Sequence, residues 1–395
     1  MLLAHCQSWA ATTTSSTALE TPTVTKTPTP HPGSQASKNK SESKPGPKKN
    51  SDSLEIPDSR VEPLTYQTLP AEKSKTKKKK ILKLFAAPLG AYKDTYGFIG
   101  GIAVILYDPK TQTRLNNTVN SNFDQYFRDR LKFELVRPGE WIDDCSGYLG
   151  NDLQSYYGNG DQTTTAHHSH KSSLNGAQFD VLRHLTGNLY TGPSLEYRNR
   201  KWDDANLNQD IFRNESEWRI GLQNRWEGRD NIVAPRKGYF GELDVYALPN
   251  AQTQGFGAKV WQVEGDVRAY RPLWKGGVLA SRLYATNTFG TASYSYDYTL
   301  GGTSRLRGYL SNRFRGKRCY VAQTETRFNI WKWFGADTGF DLGDATDTRF
   351  SSTPKWSYQA GLRTSLLEKF GVVVRMEWGW SKDQHNFYFN TYEPF

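Results

Sequence analysis

The chain has 395 residues, a mean hydropathy of −0.73, a formal charge of +11 and 13% aromatic residues. Its longest apolar run, 98–107, contains Gly100 and Gly101 and falls short of the roughly 20 residues a membrane helix needs, so no helical span is expected. Three cysteines, Cys6, Cys145 and Cys319, are too few and too scattered for a disulfide framework or a zinc site.

Residues 1–84 are rich in Ser, Thr, Pro and Lys and show no periodicity, a composition that cannot bury enough apolar surface to fold. They hold 14 Lys and Arg against 7 Asp and Glu, so this expected disordered tail carries +7 of the +11. Within it, 1–11 resembles the end of a secretory signal peptide, with Leu2 and Leu3 apolar and Ser8-Trp9-Ala10 as a small-x-small cleavage site. A charged n-region and a full apolar region are absent from that stretch, which suggests a start further upstream; a lipoprotein box at Leu3-Ala4-His5-Cys6 is the weaker reading, because a bulky His precedes the cysteine. The densest basic run, 73–83, contains Lys77, Lys78, Lys79 and Lys80. Without aromatic interleaving it reads as a charge run flanking a membrane and not as a nucleic-acid site.

From residue 94 onward, strand-like segments follow one another near 97–107, 114–124, 128–137, 145–157, 173–184, 187–200, 212–227, 237–248, 257–271 and 276–289. After a long loop come 317–330, 331–343, 355–366, 370–381 and 385–395, fifteen segments in all. The alternation is sharpest near the end. Trp356, Tyr358, Ala360, Leu362, Thr364 and Leu366 share one face, and Ser357, Gln359, Gly361, Arg363 and Ser365 the other. Val374, Met376, Trp378 and Trp380 stand against Arg375, Glu377 and Gly379 in the same way. Trp218, Ile220, Leu222 and Trp226 oppose Arg219, Gln223 and Arg225, while Trp261, Val263, Val267 and Ala269 oppose Gln262, Glu264, Asp266 and Arg268. A period of two separates an apolar from a wet environment completely. Low mean hydropathy is no objection, because only alternate residues of a barrel face lipid. The expected fold is all-β, a transmembrane antiparallel β-barrel over 85–395; closure needs an even number of strands, so sixteen are expected. Phe395, the terminal aromatic, reads as the signal of the last strand, although Pro394 weakens pairing there.

Inside the long loop stands Gly301-Gly302-Thr303-Ser304-Arg305-Leu306-Arg307-Gly308-Tyr309. Arg229-Asp230-Asn231 with Pro235 and Gly238, Glu325-x-Arg327, and Phe340-Asp341-Leu342-Gly343 accompany it. In this order the four stretches resemble the bacterial surface antigen, or BamA-like, superfamily of outer-membrane barrels, over about residues 94–395. The resemblance implies that the loop folds back into the barrel and carries Leu306, Arg307, Gly308 and Tyr309 into the lumen. Strand parity puts Gln323, Glu325 and Arg327 inward, and Asp337 and Asp341 inward on the next strand, where Arg307 would find charge-assisted partners. Parity alone leaves open that Glu325 and Asp341 are ordinary hydrated charges and Arg307 a solvated loop residue. Gly308 would allow a close backbone approach, and Tyr309 would pack beside the pair.

The resemblance implies a bacterial outer-membrane protein that assists insertion or translocation of proteins, with outer-membrane lipid and unfolded outer-membrane or secreted proteins as partners. The alternative is a passive pore or structural surface barrel. Members that insert proteins carry periplasmic POTRA domains ahead of the barrel; 1–84 does not read as one, so a periplasmic partner supplying such domains is a further expectation. No G-x-S-x-G elbow or spaced acid/base constellation appears, so no enzyme activity is expected. No cofactor and no metal are expected either; His167, His168 and His170 form a His-rich tract without nearby acidic or Cys partners.

Overall fold

A computed structural model describes residues from Lys83 to Phe395, apart from 94–96, 109–112, 125, 138–139, 159–167, 204–211, 213, 232–233, 250–259, 291, 293–295, 352, 366–372, 383 and 391–392. The expectations for the tail, the signal-like stretch, Cys6 and His167 therefore lie outside the described residues, except that Lys83 and Leu84 open the first strand.

The strands are β1 (Lys83–Lys93), β2 (Gly97–Asp108), β3 (Thr113–Ser121), β4 (Phe127–Arg137), β5 (Trp141–Tyr156), β6 (His168–Thr186), β7 (Leu189–Trp202), β8 (Glu215–Glu227) and β9 (Gly238–Ala247). They continue as β10 (Trp261–Trp274), β11 (Gly277–Phe289), β12 (Tyr298–Leu300), β13 (Phe314–Gly316), β14 (Arg318–Trp331), β15 (Phe334–Thr346), β16 (Lys355–Thr364), β17 (Val374–Ser381) and β18 (His385–Asn390). Sixteen of them form one antiparallel meander in chain order, and β12 with β13 makes a small separate hairpin inside the long loop. The strand missing from the periodicity is β1, KLFAAPLGAYK, which is apolar at both parities and contains Pro88 and Gly90. Its ends of the sheet, β1 and β18, come together, but no ladder joins them among the described residues. The sheet is a barrel whose seam carries no ladder among the described residues.

Outward positions carry the large apolar side chains: Trp218, Ile220 and Leu222 on β8, Trp261 and Val267 on β10, Trp356, Tyr358 and Leu362 on β16, Met376 and Trp378 on β17 are all exposed. Their inward neighbours Arg219, Gln223, Arg225, Gln262, Asp266, Arg268, Arg375 and Glu377 are buried. This is the reverse of a soluble core and is what a lipid-facing wall around a polar interior requires. Leu222→Arg, at the middle of β8, is expected to cost about 2–4 kcal/mol in urea unfolding from lipid vesicles, the range for a cation on the lipid face at the bilayer midplane.

Gly187-Asn188, Lys275-Gly276 and Lys332-Trp333 are tight hairpin tips on one rim, while β9 and β11 end at the other. The Arg229-Asp230-Asn231 stretch is the β8–β9 turn: Asp230 Oδ1 accepts from the backbone N–H groups of Arg236 (2.9 Å) and Lys237 (3.1 Å), and Asn231 Oδ1 from Ala234 (3.2 Å). Arg229 clasps Glu227 through Nε and Nη2. Side-chain oxygens thus replace the ladder where the chain reverses. Cys145 is exposed and Cys319 buried, and no disulfide joins them.

Candidate functional site

The loop between β11 and β14 enters the barrel as β12, a compact turn over 301–313, and β13. Gly301 and Gly302 have φ of +110° and +103°, and their N–H groups donate to the carbonyls of Arg305 (2.9 Å) and Tyr309 (3.0 Å), which coils the segment tightly. Leu306 takes φ +60°, costly for a residue with a branched side chain, and is completely buried with Tyr284, Tyr298, Leu300 and Val321. That apolar anchor holds the turn against the inner wall.

Arg307 is completely buried and reaches β14, β15 and β17 together. Its Nε and Nη2 donate to Asp341 Oδ2 (3.0 Å) and Oδ1 (2.8 Å), and its backbone N–H to Oδ2 (2.9 Å). Nη1 binds Glu325 and lies 3.3 Å from Glu377 Oε1. Burial works against its charge, yet Asp341 and Glu325 hold the guanidinium well above its ordinary basicity. Leu306, Arg307, Glu325 and Asp341 are thus gathered, buried, on the inner side of the sheet.

Gly308 has φ +100°, and a Cβ there would sit 2.9 Å from the carbonyl carbon of Trp380. Its N–H donates to Tyr388 Oη (2.7 Å), while its carbonyl accepts from Ser381 Oγ (3.1 Å) and Asn386 Nδ2 (2.9 Å). Across the contact Gly379 is just as necessary, since its Cβ would lie 2.6 Å from Gly308 N. Tyr309, expected beside the ion pair, instead packs edge-on to Phe314 (5.0 Å) in the apolar cluster and donates to the Trp356 carbonyl (3.3 Å). A phenol gains more from apolar contact with one satisfied hydroxyl than from facing charges.

Arg327 Nε donates to Glu325 Oε1 (2.7 Å), and its Nη2 to the backbone oxygen of Phe395 (2.6 Å). Phe395, expected within the last strand, lies beyond it: β18 ends at Asn390, and the buried ring sits 5.6 Å from the Arg307 guanidinium and 5.4 Å from that of Arg327, packed on Tyr270 and Ala280. Pro394 cannot extend a ladder, and Phe395 is buried on the inner side of the sheet instead. There Glu393 binds Arg363 and Arg375 and lies 3.6 Å from Arg327.

Solved structures with this architecture exist. CdiB from Escherichia coli matches at a TM-score of 0.56 and 13% identity over 76% of this chain and 59% of its own. BamA from Haemophilus ducreyi lacking POTRA domains 1-3 matches at 0.55 and 12% over 83% and 74%, and CdiB from Acinetobacter baumannii at 0.51 and 14% over 78% and 57%. The chain has the fold of a BamA-type barrel. It spans about three fifths of the two CdiB chains, and no family model and no curated protein matches its sequence, so the likeness is one of fold.

The barrel holds more of the network than the motifs marked. Arg375, completely buried on β17, lies 2.8 Å from Glu325 Oε1, 3.0 Å from Asp337 Oδ1 and 2.7 Å from Glu377 Oε1. Those three carboxylates come close enough to share a metal ion, but the guanidinium already stands among them as their cation. Four arginines, 307, 327, 363 and 375, meet five carboxylates, Glu325, Asp337, Asp341, Glu377 and Glu393. The parity of β17 was the available signal for Arg375 and Glu377; nothing in the alternation marked Glu393.

For Glu393, burial raises the carboxyl pKa, but Arg327, Arg363 and Arg375 outweigh it and hold it below the ordinary value of about 4.5. A depressed folded value gives stability that is present above the unfolded value and lost as pH falls through the folded one. Heat resistance of the barrel is therefore expected to decline below about pH 4.5, and Glu393→Gln to flatten that part of the profile, measured as the electrophoretic unfolding temperature against pH.

Proposed function

We propose that this barrel sits in a bacterial outer membrane and assists insertion or translocation of proteins there, with 85–395 as the working unit and 1–84 as a flanking tail. The observation that carries the reading is the seam: β1 and β18 approach each other without a ladder among the described residues. An open strand edge in a hydrocarbon surrounding offers unpaired backbone groups to an incoming strand, which satisfies its own by adding to the sheet. β1 gives an edge of 11 residues against the 6 of β18. The docked loop braces β14, β15, β17 and β18 from inside, so one flank of the seam stays rigid while the other is free to receive a strand. No covalent chemistry is needed. Outer-membrane lipid and unfolded outer-membrane or secreted proteins are the partners this reading implies, and a periplasmic chain that delivers them fits it equally.

A passive pore is favoured by one feature, a polar lumen cavity of about 110 Å³ lined by charges of both signs, among them Arg130, Asp180, Arg225 and Asp244. Reconstitution decides between the two. With the barrel in liposomes, an unfolded barrel client is expected to acquire protease resistance faster than in empty liposomes, and planar bilayers to show small, erratic currents. Unchanged client folding together with a steady open conductance would favour the pore.

A further inference from the structure

Three tight hairpins on the short-turn rim share an irregularity. In each, the ladder skips one residue just before the turn: Leu185 in β6–β7, Leu273 in β10–β11 and Ile330 in β14–β15. All three skipped residues are apolar and exposed, at 62%, 44% and 57%. A bulge re-aims a side chain, and here it turns an aliphatic group outward at the edge of the lipid-facing wall.

Two of these hairpins are neighbours, because β11 pairs with β14 and the Asn329 N–H donates to the Gly276 carbonyl (3.0 Å). Their tips repeat one chemistry, Trp274-Lys275 and Trp331-Lys332-Trp333. Trp274, Trp331 and Trp333 are exposed, the last two rings 6.0 Å apart, and Lys332 Nζ stands 5.3 Å from the Trp331 ring. Lys332 occupies φ +34°, whereas the neighbouring turn places Gly276 at its positive-φ position, so a cation is kept at the tip at a conformational cost. Exposed Arg271, near the same end of β10, adds a third cation on this rim, and among the described residues no carboxylate pairs with Arg271, Lys275 or Lys332.

We propose that these two tips form a binding site for an anionic phospholipid, with Lys275, Lys332 and Arg271 on the headgroup phosphates and Leu273, Ile330 and the tryptophans against the acyl chains. Charge complementarity selects the partner: indole rings settle at the boundary of headgroup and hydrocarbon, and unpaired cations at that depth meet phosphate first. A zwitterionic lipid would satisfy the aromatic groups, but its own ammonium offsets its phosphate, so the three cations gain less from it than from a lipid of net negative charge.

The test is native mass spectrometry of the full chain released from nanodiscs of equal phosphatidylglycerol and phosphatidylcholine. The wild type is expected to retain phosphatidylglycerol in preference. Lys275→Gln/Lys332→Gln is expected to lose roughly 30-fold of that preference, at about one lysine-to-anionic-surface interaction each, and Lys275→Arg/Lys332→Arg to keep it. Both doubles change exposed turn residues and should match the wild type in heat resistance. Equal retention of the two lipids by the wild type, or an unchanged preference in the glutamine double, would overturn the site.

Discussion

Arg307→Ala is expected to destabilise the barrel by about 3–5 kcal/mol, because it removes one partner of a fully buried ionic network, leaves Asp341 without its cation, and leaves Glu325 to Arg327 and Arg375 and Glu377 to Arg375 alone. The readout is the urea midpoint of tryptophan fluorescence in lipid vesicles, with the electrophoretic unfolding temperature beside it. Arg307→Lys should recover only a small part. An ammonium reaches one carboxylate as a point charge, whereas the guanidinium spans both oxygens of Asp341 and still holds Glu325. Joint removal with Asp341→Asn should cost less than the sum of the two single changes, since each leaves the other's partner stranded. A loss below about 0.5 kcal/mol for Arg307→Ala would mean that the arginine is solvated in the membrane, as surface ion pairs are.

Gly308→Ala tests the docking with every charge left in place, and a loss of about 2–3 kcal/mol is expected. Part comes from φ +100°, which an L side chain adopts only with strain, and part from the Trp380 backbone 2.9 Å from the new methyl. Trp380 cannot yield easily, because it is paired with Tyr358 on one side and His385 on the other. The turn should leave the wall instead, freeing the hydrogen bonds of Gly308 to Tyr388, Ser381 and Asn386. Protease cleavage within 301–313 is therefore expected to accelerate, and planar-bilayer currents to grow as the lumen clears. Gly379→Ala, pressing from the opposite side, should reproduce both effects.

Much of this was legible in the sequence where two environments impose opposite chemistry. On β8, β10, β16 and β17, lipid on one side and charge on the other leave a period of two in the residues themselves. β1 left none, being apolar at both parities, and β12 and β13 are three residues each, too short for any period to register. For the site, Leu306, Arg307, Gly308, Glu325 and Asp341 were signalled by motif and parity together. Arg375 and Glu377 pointed inward by parity but looked like ordinary lumen charges, because Glu377 meets Arg307 from a loop about 70 residues away in sequence and Arg375 meets Glu325, Asp337 and Glu393 from other segments. Phe395 misled: a terminal aromatic after an alternating stretch reads as the signal of the last strand, and only the fold shows it beyond β18 and near two arginines. Long-range pairing of charges leaves no local trace, whereas amphipathic alternation is local by nature.

The claim on which the functional reading turns is that a client strand enters at the open edge of β1. Photocross-linking during insertion addresses it directly, with a photoreactive side chain placed at exposed Ala86 on β1 and, as control, at exposed Val267 on β10. Adducts with an inserting barrel client are expected at Ala86 and not at Val267. Insertion that proceeds with no adduct at Ala86, or with equal adducts at both positions, would contradict the seam as the site of action.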